Sequence, residues 1–302
     1  MPWEGLFHHS AHTRPVPADG LHEPQDQDRA LRSILVHGHR GARACRPENT
    51  LEAFRYAIEQ GADALELDVT VTKDDVVVVS HDPVVDGGIP IRTRMHDELP
   101  REIPTLDEVF ELAQGNEIQF DVEAKIFPDD PELTPGPEEF AKLILGLIRR
   151  HALENRVILL CFDPRMLRVM NRLEPSIRRS ALFETQRDWM EVAREFEATC
   201  LGPEYRLVTP ERVAEAHAAG LAVVPWTANN PEDWAKLTAA GVDGIISDDP
   251  AALIGWRRKE GSSAEFVGNL RPSDRSRPDR RSTSSRAEHN GTDRQRARGT
   301  PN

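Results

Sequence analysis

Short apolar runs alternate with helical stretches through about 230 residues in the middle of this chain, and that alternation restricts the fold more than any other feature. The runs Ile34–His37, Ala64–Val71, Val76–Ser80, Ile118–Glu123, Val157–Cys161, Ser180–Phe183, Ala222–Trp226 and Gly244–Ser247 read as strands, with a weaker one near Thr199–Leu201. Helical patterns over Leu51–Gln60, Glu138–Arg150, Arg165–Leu173, Trp189–Phe196, Pro210–Ala219 and Pro231–Ala240 separate most of them. Asn49 suits the cap of the first helix, and Gly61, Gly220 and Gly241 suit helix stops. Repeated strand–helix units predict parallel strands with helices packed outside. Eight or nine strands in this length fit an α/β fold of the (β/α)8 type, a TIM barrel. A doubly wound open sheet is the alternative, but no GxGxxG or GxxxxGK[ST] follows a strand, which weakens its nucleotide-binding form.

Composition separates the flanks. Residues 1–28 are rich in His, Pro, Asp and Gln, and residues 259–302 in Arg, Ser, Asp and Gly. Neither segment can bury enough apolar surface to offset its ordering entropy, so disordered extensions are expected around a single domain at 29–258. His8, His9 and His12 could bind metal, but nothing around them would hold a fixed geometry. From Arg257 to Asn302, 12 basic residues meet six acidic ones, whereas Met1 to Trp256 holds 26 basic against 45 acidic. A body so acidic is a poor binder of nucleic acid. No apolar stretch approaches the roughly 20 residues that span a bilayer, and the first residues lack the apolar core of a signal peptide, so no stable membrane insertion is expected. Cys45, Cys161 and Cys200 are odd in number and far apart, which predicts neither a disulfide framework nor a CxxC metal site. The expectation is a soluble, cytoplasmic protein.

In such a barrel the C-terminal ends of the strands carry the chemistry. Read in order, those ends are His39-Arg40-Gly41, Glu66 and Asp68, His81-Asp82, Glu123 and Lys125, Phe162-Asp163, Trp226-Thr227 and Ser247-Asp248. Glu66 and Asp68 share one face of a strand whose other face is Leu65, Leu67 and Val69, so the two carboxylates point to the barrel axis. Glu123 follows the same parity. Buried carboxylates held together need protons or a cation, and three oxygen ligands suit a hard divalent ion such as Mg2+ or Ca2+. If Thr72-Lys73-Asp74-Asp75 closes a hairpin, residues 66 and 68 face positions near 82 and 80, which brings His81 to the carboxylates. If Val76–Ser80 is instead a parallel strand, His81 still reaches the same rim. With five lysines against 33 arginines in the chain, an interior Lys125 stands out. It suits a phosphate contact shared with Arg40, or else a salt bridge to Asp121 or Glu123. His37 faces the same side as His39 and is a lesser candidate.

These residues resemble the glycerophosphodiester phosphodiesterase family. The resemblance rests on an ordered set: His39-Arg40-Gly41-Ala42, Pro47-Glu48-Asn49-Thr50, Glu66-Leu67-Asp68-Val69 and Ser80-His81-Asp82-Pro83, then Ile103-Pro104-Thr105-Leu106, Glu123-Ala124-Lys125, Phe162-Asp163, Trp226-Thr227-Ala228-Asn229 and the run Gly241 to Asp248. It extends from Leu35 to Leu253. It implies a TIM-barrel hydrolase that uses a divalent metal to cleave small-molecule glycerophosphodiesters to glycerol 3-phosphate and an alcohol. His39 and His81 would be the acid–base pair, Glu66, Asp68 and Glu123 the metal ligands, Arg40 and Lys125 phosphate contacts, and Trp226 a wall of the substrate pocket. The chain departs from the family at Val84-Val85-Asp86-Gly87-Gly88, where a Thr-Leu-Asp-Arg-Thr-Thr-like run is common, and at Cys161, where Ser is frequent. Both bear on the headgroup. A lysophospholipase D or sphingomyelinase D-like enzyme on the same barrel is the nearest alternative. A non-catalytic phosphodiester sensor is a more distant one, since all five acid–base and metal positions are filled.

Overall fold

A computed structural model of the chain describes residues 34–85, 87–112, 114–127 and 130–268, apart from the side chains of 261–268. Parity along the strands sorts the side chains into two layers. In β2 (Ala64–Val71), which follows β1 (Leu35–Gly38), every residue is buried. Leu65, Leu67, Val69 and Val71 join the layer between sheet and helices, while Glu66, Asp68 and Thr70 are buried polar positions of the opposite parity. A short strand β3 (Val77–Val79) and a two-residue hairpin of β4 (Val84–Val85) and β5 (Ile89–Pro90) come next. In β6 (Gln119–Ala124), Phe120, Val122 and Ala124 face the helices and Asp121 and Glu123 alternate with them. In β7 (Val157–Cys161), Ile158 and Leu160 belong to a smaller apolar cluster with Leu182, Val224 and Ile246, which fills the ring itself.

The chain continues through β8 (Arg178–Phe183), β9 (Cys200–Pro203), β10 (Ala222–Val223) and β11 (Gly244–Ser247). Eight strands pair in the order β10-β9-β8-β7-β6-β2-β1-β11, and every pairing along that path is parallel. Backbone bonds beyond the end strands close the ring. Asp243 N–H donates to Val223 C=O (2.9 Å), Ile246 N–H to Pro225 C=O (3.0 Å) and Ala228 N–H to Ile246 C=O (3.1 Å). The expected (β/α)8 barrel is the fold, and the open sheet is excluded.

Val76–Ser80 is not one of the eight. Its core, β3, runs antiparallel to β2 with Val69 opposite Val79 and Val71 opposite Val77, so the hairpin alternative holds. The weak run near Thr199 is a full barrel strand, β9. Asn49 does not cap the first helix, because Thr50 Oγ1 accepts from Ala53 N–H (3.2 Å) and does so instead. The last helix, Pro250–Gly268, continues past residue 258. The expected extension at 1–28 and most of 259–302 lie outside the described residues. Among the described residues no helix is long and apolar enough to cross a membrane.

Candidate active site

A tight turn after β1 places the first pair of site residues. Arg40 (φ 48°) and Gly41 (φ 83°) both lie in the left-handed region, which bends the chain sharply over the end of β2. Only glycine fits at position 41, where a Cβ would come within 2.8 Å of the Ala53 carbonyl carbon. The turn aims Arg40 N–H at Glu66 Oε2 (2.8 Å) and its guanidinium at Asp68 Oδ2 (Nε, 3.1 Å) and Glu48 Oε1 (Nη1, 2.7 Å).

Glu66, Asp68 and Glu123 converge as parity requires, with one ligand oxygen of each within 4.8 Å of the others. Asp68 and Glu123 are direct cross-strand partners. All three are buried, at 2%, 1% and 8% exposure. Burial, and then repulsion from Asp68 and Glu123, pushes the Glu66 carboxyl well above the ordinary range. Burial and the Asp68 charge push Glu123 up to about 7. For Asp68 burial acts in the same upward direction, but Lys125, Arg40 and the hydrogen bond from Asn49 Nδ2 (2.9 Å) outweigh it and hold that carboxyl low. Lys125 Nζ lies 2.6 Å from Glu123 Oε1 and 3.1 Å from Asp68 Oδ1, and not on Asp121. Asp68 Oδ1 is fully buried, with the Lys125 ammonium against it. Three buried carboxylates with ligand oxygens this close, two of them pushed toward the protonated form, fit a hard divalent cation.

The hairpin delivers the second histidine. Ser80 N–H donates to Asp68 C=O (3.0 Å), one residue before His81, which is the register expected from the turn. His81 lines the same cleft, with Nδ1 2.8 Å from Asp82 Oδ1, and its side chain is 37% exposed. His39 sits deeper, at 14% exposure, with Nε2 3.8 Å from Glu66 Oε2. Its Nδ1 is 2.5 Å from Asp248 Oδ1. His37 takes no part in the cleft: its Nδ1 pairs with Asp121 Oδ2 inside the barrel.

The cleft has a volume of about 370 Å3. His39, Arg40, His81, Glu123 and Lys125 form its polar end, and Phe162, Trp226, Leu160, Leu182 and Ile246 form an apolar wall. Trp226 Nε1–H donates to Gly202 C=O (2.7 Å), and the ring meets Phe162 edge-on at 5.5 Å between centroids. Apart from His37, the residues singled out from the sequence as site candidates therefore lie in or around one cleft. Asp248, Asn229 and Glu48 were not given roles in that reading, although each ends or follows a run already noted. Asn229 Nδ2 donates to Asp248 Oδ2 (2.7 Å) and Asp248 N–H to Asn229 Oδ1 (2.9 Å). Burial works against the Asp248 charge, but the hydrogen bonds from His39 and Asn229 and nearby Arg43 hold the carboxyl below its ordinary range.

Comparison with known proteins agrees with this geometry. Residues 39–252 match the model of the glycerophosphoryl diester phosphodiesterase family. The chain is 37% identical over 250 residues to a glycerophosphodiester phosphodiesterase of Caldanaerobacter subterraneus, a match that spans 75% of this chain and 99% of that one. Over a shorter stretch of 119 residues it is 34% identical to lysophospholipase D GDPD1 of Rattus norvegicus, 37% of each chain. The crystal structure of a glycerophosphodiester phosphodiesterase from Thermotoga maritima superposes with a TM-score of 0.61 at 28% identity, covering 74% of this chain and 97% of that one.

Proposed function

The chain belongs to the glycerophosphoryl diester phosphodiesterase family, and from that premise we propose how its residues divide the work. The reaction is hydrolysis of a glycerophosphodiester by water to glycerol 3-phosphate and an alcohol. Glu66, Asp68 and Glu123 are the residues that would hold a divalent ion of the Mg2+ or Ca2+ kind, which when bound supplies positive charge beside the phosphoryl group. Arg40 and Lys125 bind the anionic oxygens of the diester, because cations placed where charge shifts in the transition state lower the barrier. His39 and His81 carry the protons: one imidazole takes the proton of the attacking oxygen and the other gives one to the departing alkoxide. Trp226 and Phe162 cover the organic part of the substrate. The observation behind this reading is the gathering of both imidazoles, both cations and the buried carboxylates at one end of a single cleft. A cytoplasmic site of action belongs to the same reading, and all three cysteines are free.

The test is release of glycerol 3-phosphate from a panel of glycerophosphodiesters after chelation, with Mg2+, Ca2+ or Mn2+ restored singly. Activity lost on chelation and regained with an ion is expected. Full turnover by chelated protein would remove the metal from the reading. The lysophospholipase D alternative draws on Phe162, 43% exposed beside the apolar wall, and on the partial likeness to the rat enzyme. Choline release from lysophosphatidylcholine in preference to glycerophosphocholine would favour it.

A further inference from the structure

We propose that Asp248, clamped by Asn229, is a positioning residue that fixes the His39 ring with its Nε2 lone pair facing the cleft, where that nitrogen can take the proton of the attacking oxygen. The proposal deepens the reading above and rests on it for the identity of the reaction. Its basis is the pattern of hydrogen bonds around the two imidazoles.

An ionised carboxylate has no proton to donate, so His39 Nδ1 must be the donor in its 2.5 Å bond to Asp248 Oδ1. In the neutral ring the lone pair then lies on Nε2, the atom that faces Glu66 and the cleft. Asp248 cannot turn away. Its other oxygen accepts from Asn229 Nδ2, its own N–H donates to Asn229 Oδ1, and Ser247 Oγ donates to the same Asn229 oxygen (3.2 Å). His39 is fixed from behind as well, since its backbone N–H donates to Ser247 C=O (2.9 Å) and Ala44 N–H donates to Asp248 C=O (3.1 Å). The ring is thus held by the seam between β1 and β11, two neighbouring strands of a rigid barrel, rather than by a loop.

His81 has no such support. Its carboxylate partner is its own chain neighbour, Asp82, whose side chain is 74% exposed, and water competes for both groups. A less constrained imidazole suits the second proton transfer, to a leaving group whose position varies with the alcohol. In the step proposed, the O–H bond of the attacking water breaks toward His39 Nε2 as its oxygen bonds to phosphorus. The phosphorus–oxygen bond to the alcohol breaks as His81 delivers a proton to that oxygen. A proton exchange with solvent then restores both rings.

Two readouts test the assignment. The first needs no substrate: 15N-detected histidine spectra of the Mg2+-loaded protein in alkaline solution should show His39 as the Nδ1–H tautomer. The Nε2–H tautomer there would overturn the proposal outright. The second is kinetic. Asp248→Asn presents an amide that can donate to Nδ1 and so favours the wrong tautomer. It should lower kcat by about 10²-fold or more with KM changed far less, and leave the melting temperature shift on Mg2+ addition in place. Placed in a His39→Ala background, the same substitution should cost little further, because it acts through the ring that is gone. A p-nitrophenyl diester, whose leaving group needs no proton, should rescue His81→Ala but neither His39→Ala nor Asp248→Asn. A full additional loss in the His39→Ala background, or rescue of Asp248→Asn by the activated ester, would show that Asp248 acts otherwise. If the unaltered protein hydrolyses no glycerophosphodiester, the functional reading fails by itself, and the tautomer of His39 still decides the positioning role.

Discussion

Three carboxylates crowd together where water is excluded, and the residues around them decide what the site can tolerate. Glu123 is raised to about 7 from an ordinary 4.5, so between those values the folded, metal-free protein binds a proton that the unfolded chain does not. Its contribution to stability is present below about 4.5 and lost as pH rises through about 7. A divalent ion reverses that loss by replacing the proton. The rise in melting temperature on adding Mg2+ or Ca2+ should therefore grow as pH rises from about 4.5 through about 7, which thermal shift measurements across that range would check. Glu66→Gln should act in opposite directions on stability and function. The amide removes a repelled buried charge, so chelated protein should gain about 0.5–2 kcal/mol, with the gain larger at alkaline pH. The same variant should lose ion-dependent stabilisation and most of its turnover. Lys125→Met removes the cation that lies against Glu123 and Asp68, and leaves both buried charges less compensated. It should destabilise the chelated protein by about 3–5 kcal/mol, and added ion should recover part of that. At this scale the parity of charged residues against Leu65, Leu67 and Val122 made the carboxylates legible from the sequence. The partners of His39 were not legible, because Asp248 lies across a strand pairing that only the closed ring creates.

Elements set the distances between those residues. The β2–β3 hairpin was readable as one of two choices, since Thr72-Lys73-Asp74-Asp75 between valine runs marks a turn. The register Val69 to Val79 followed from counting. The two-residue pair β4 and β5 was not readable, because strands that short carry no period. The short helix Leu106–Glu111 was also missed. Its signal was present: Thr105 and Glu108 form a capping box, with Thr105 Oγ1 accepting from Glu108 N–H (3.1 Å). Of all the elements, the turn after β1 ties fold to function most directly, because it carries His39 and Arg40 on a backbone that needs φ of 83° at Gly41. Gly41→Ala would force a Cβ to within 2.9 Å of the Ala53 Cβ in addition to the conformational penalty. The expected cost is about 1–3 kcal/mol in chemical denaturation. Turnover should fall by more than the unfolded fraction explains, because the turn that carries His39 and Arg40 must move away from the helix Leu51–Gln60. Loss of stability with kcat per folded molecule unchanged would separate the turn from the chemistry.

On the scale of the whole molecule, the ring is closed by the two ends of the domain. β1 pairs with β11, and the helix that follows β11 packs back over both. Leu253 and Ile254 are 1% and 2% exposed, the Trp256 ring lies tilted against Trp234 at 5.9 Å between centroids, and Arg257 Nη1 donates to Ile34 C=O (2.6 Å) and contacts Asp63 Oδ2 (3.1 Å). Composition alone placed the end of the domain near residue 258, because the apolar positions stop there, and the backbone of the helix carries on to Gly268. Two truncations distinguish what the core needs from what merely continues it. A chain ending at Gly268 keeps every buried side chain of the last helix and loses a segment whose Arg, Ser, Asp and Gly content supplies hardly any apolar area. Its melting temperature should change by no more than about 2 °C, and its turnover on soluble glycerophosphodiesters should be unchanged. A chain ending at Asp249 loses Leu253 and Ile254, each worth about 1.5–3 kcal/mol of burial, and the half-buried Trp256, together with the Arg257 contacts to the start of β1. That sum is comparable to the total stability of a domain, about 5–15 kcal/mol, so the shorter chain should fail to fold cooperatively. Circular dichroism melts of both would decide the matter, and a cooperative, active protein ending at Asp249 would mean that the ring closes without its last helix.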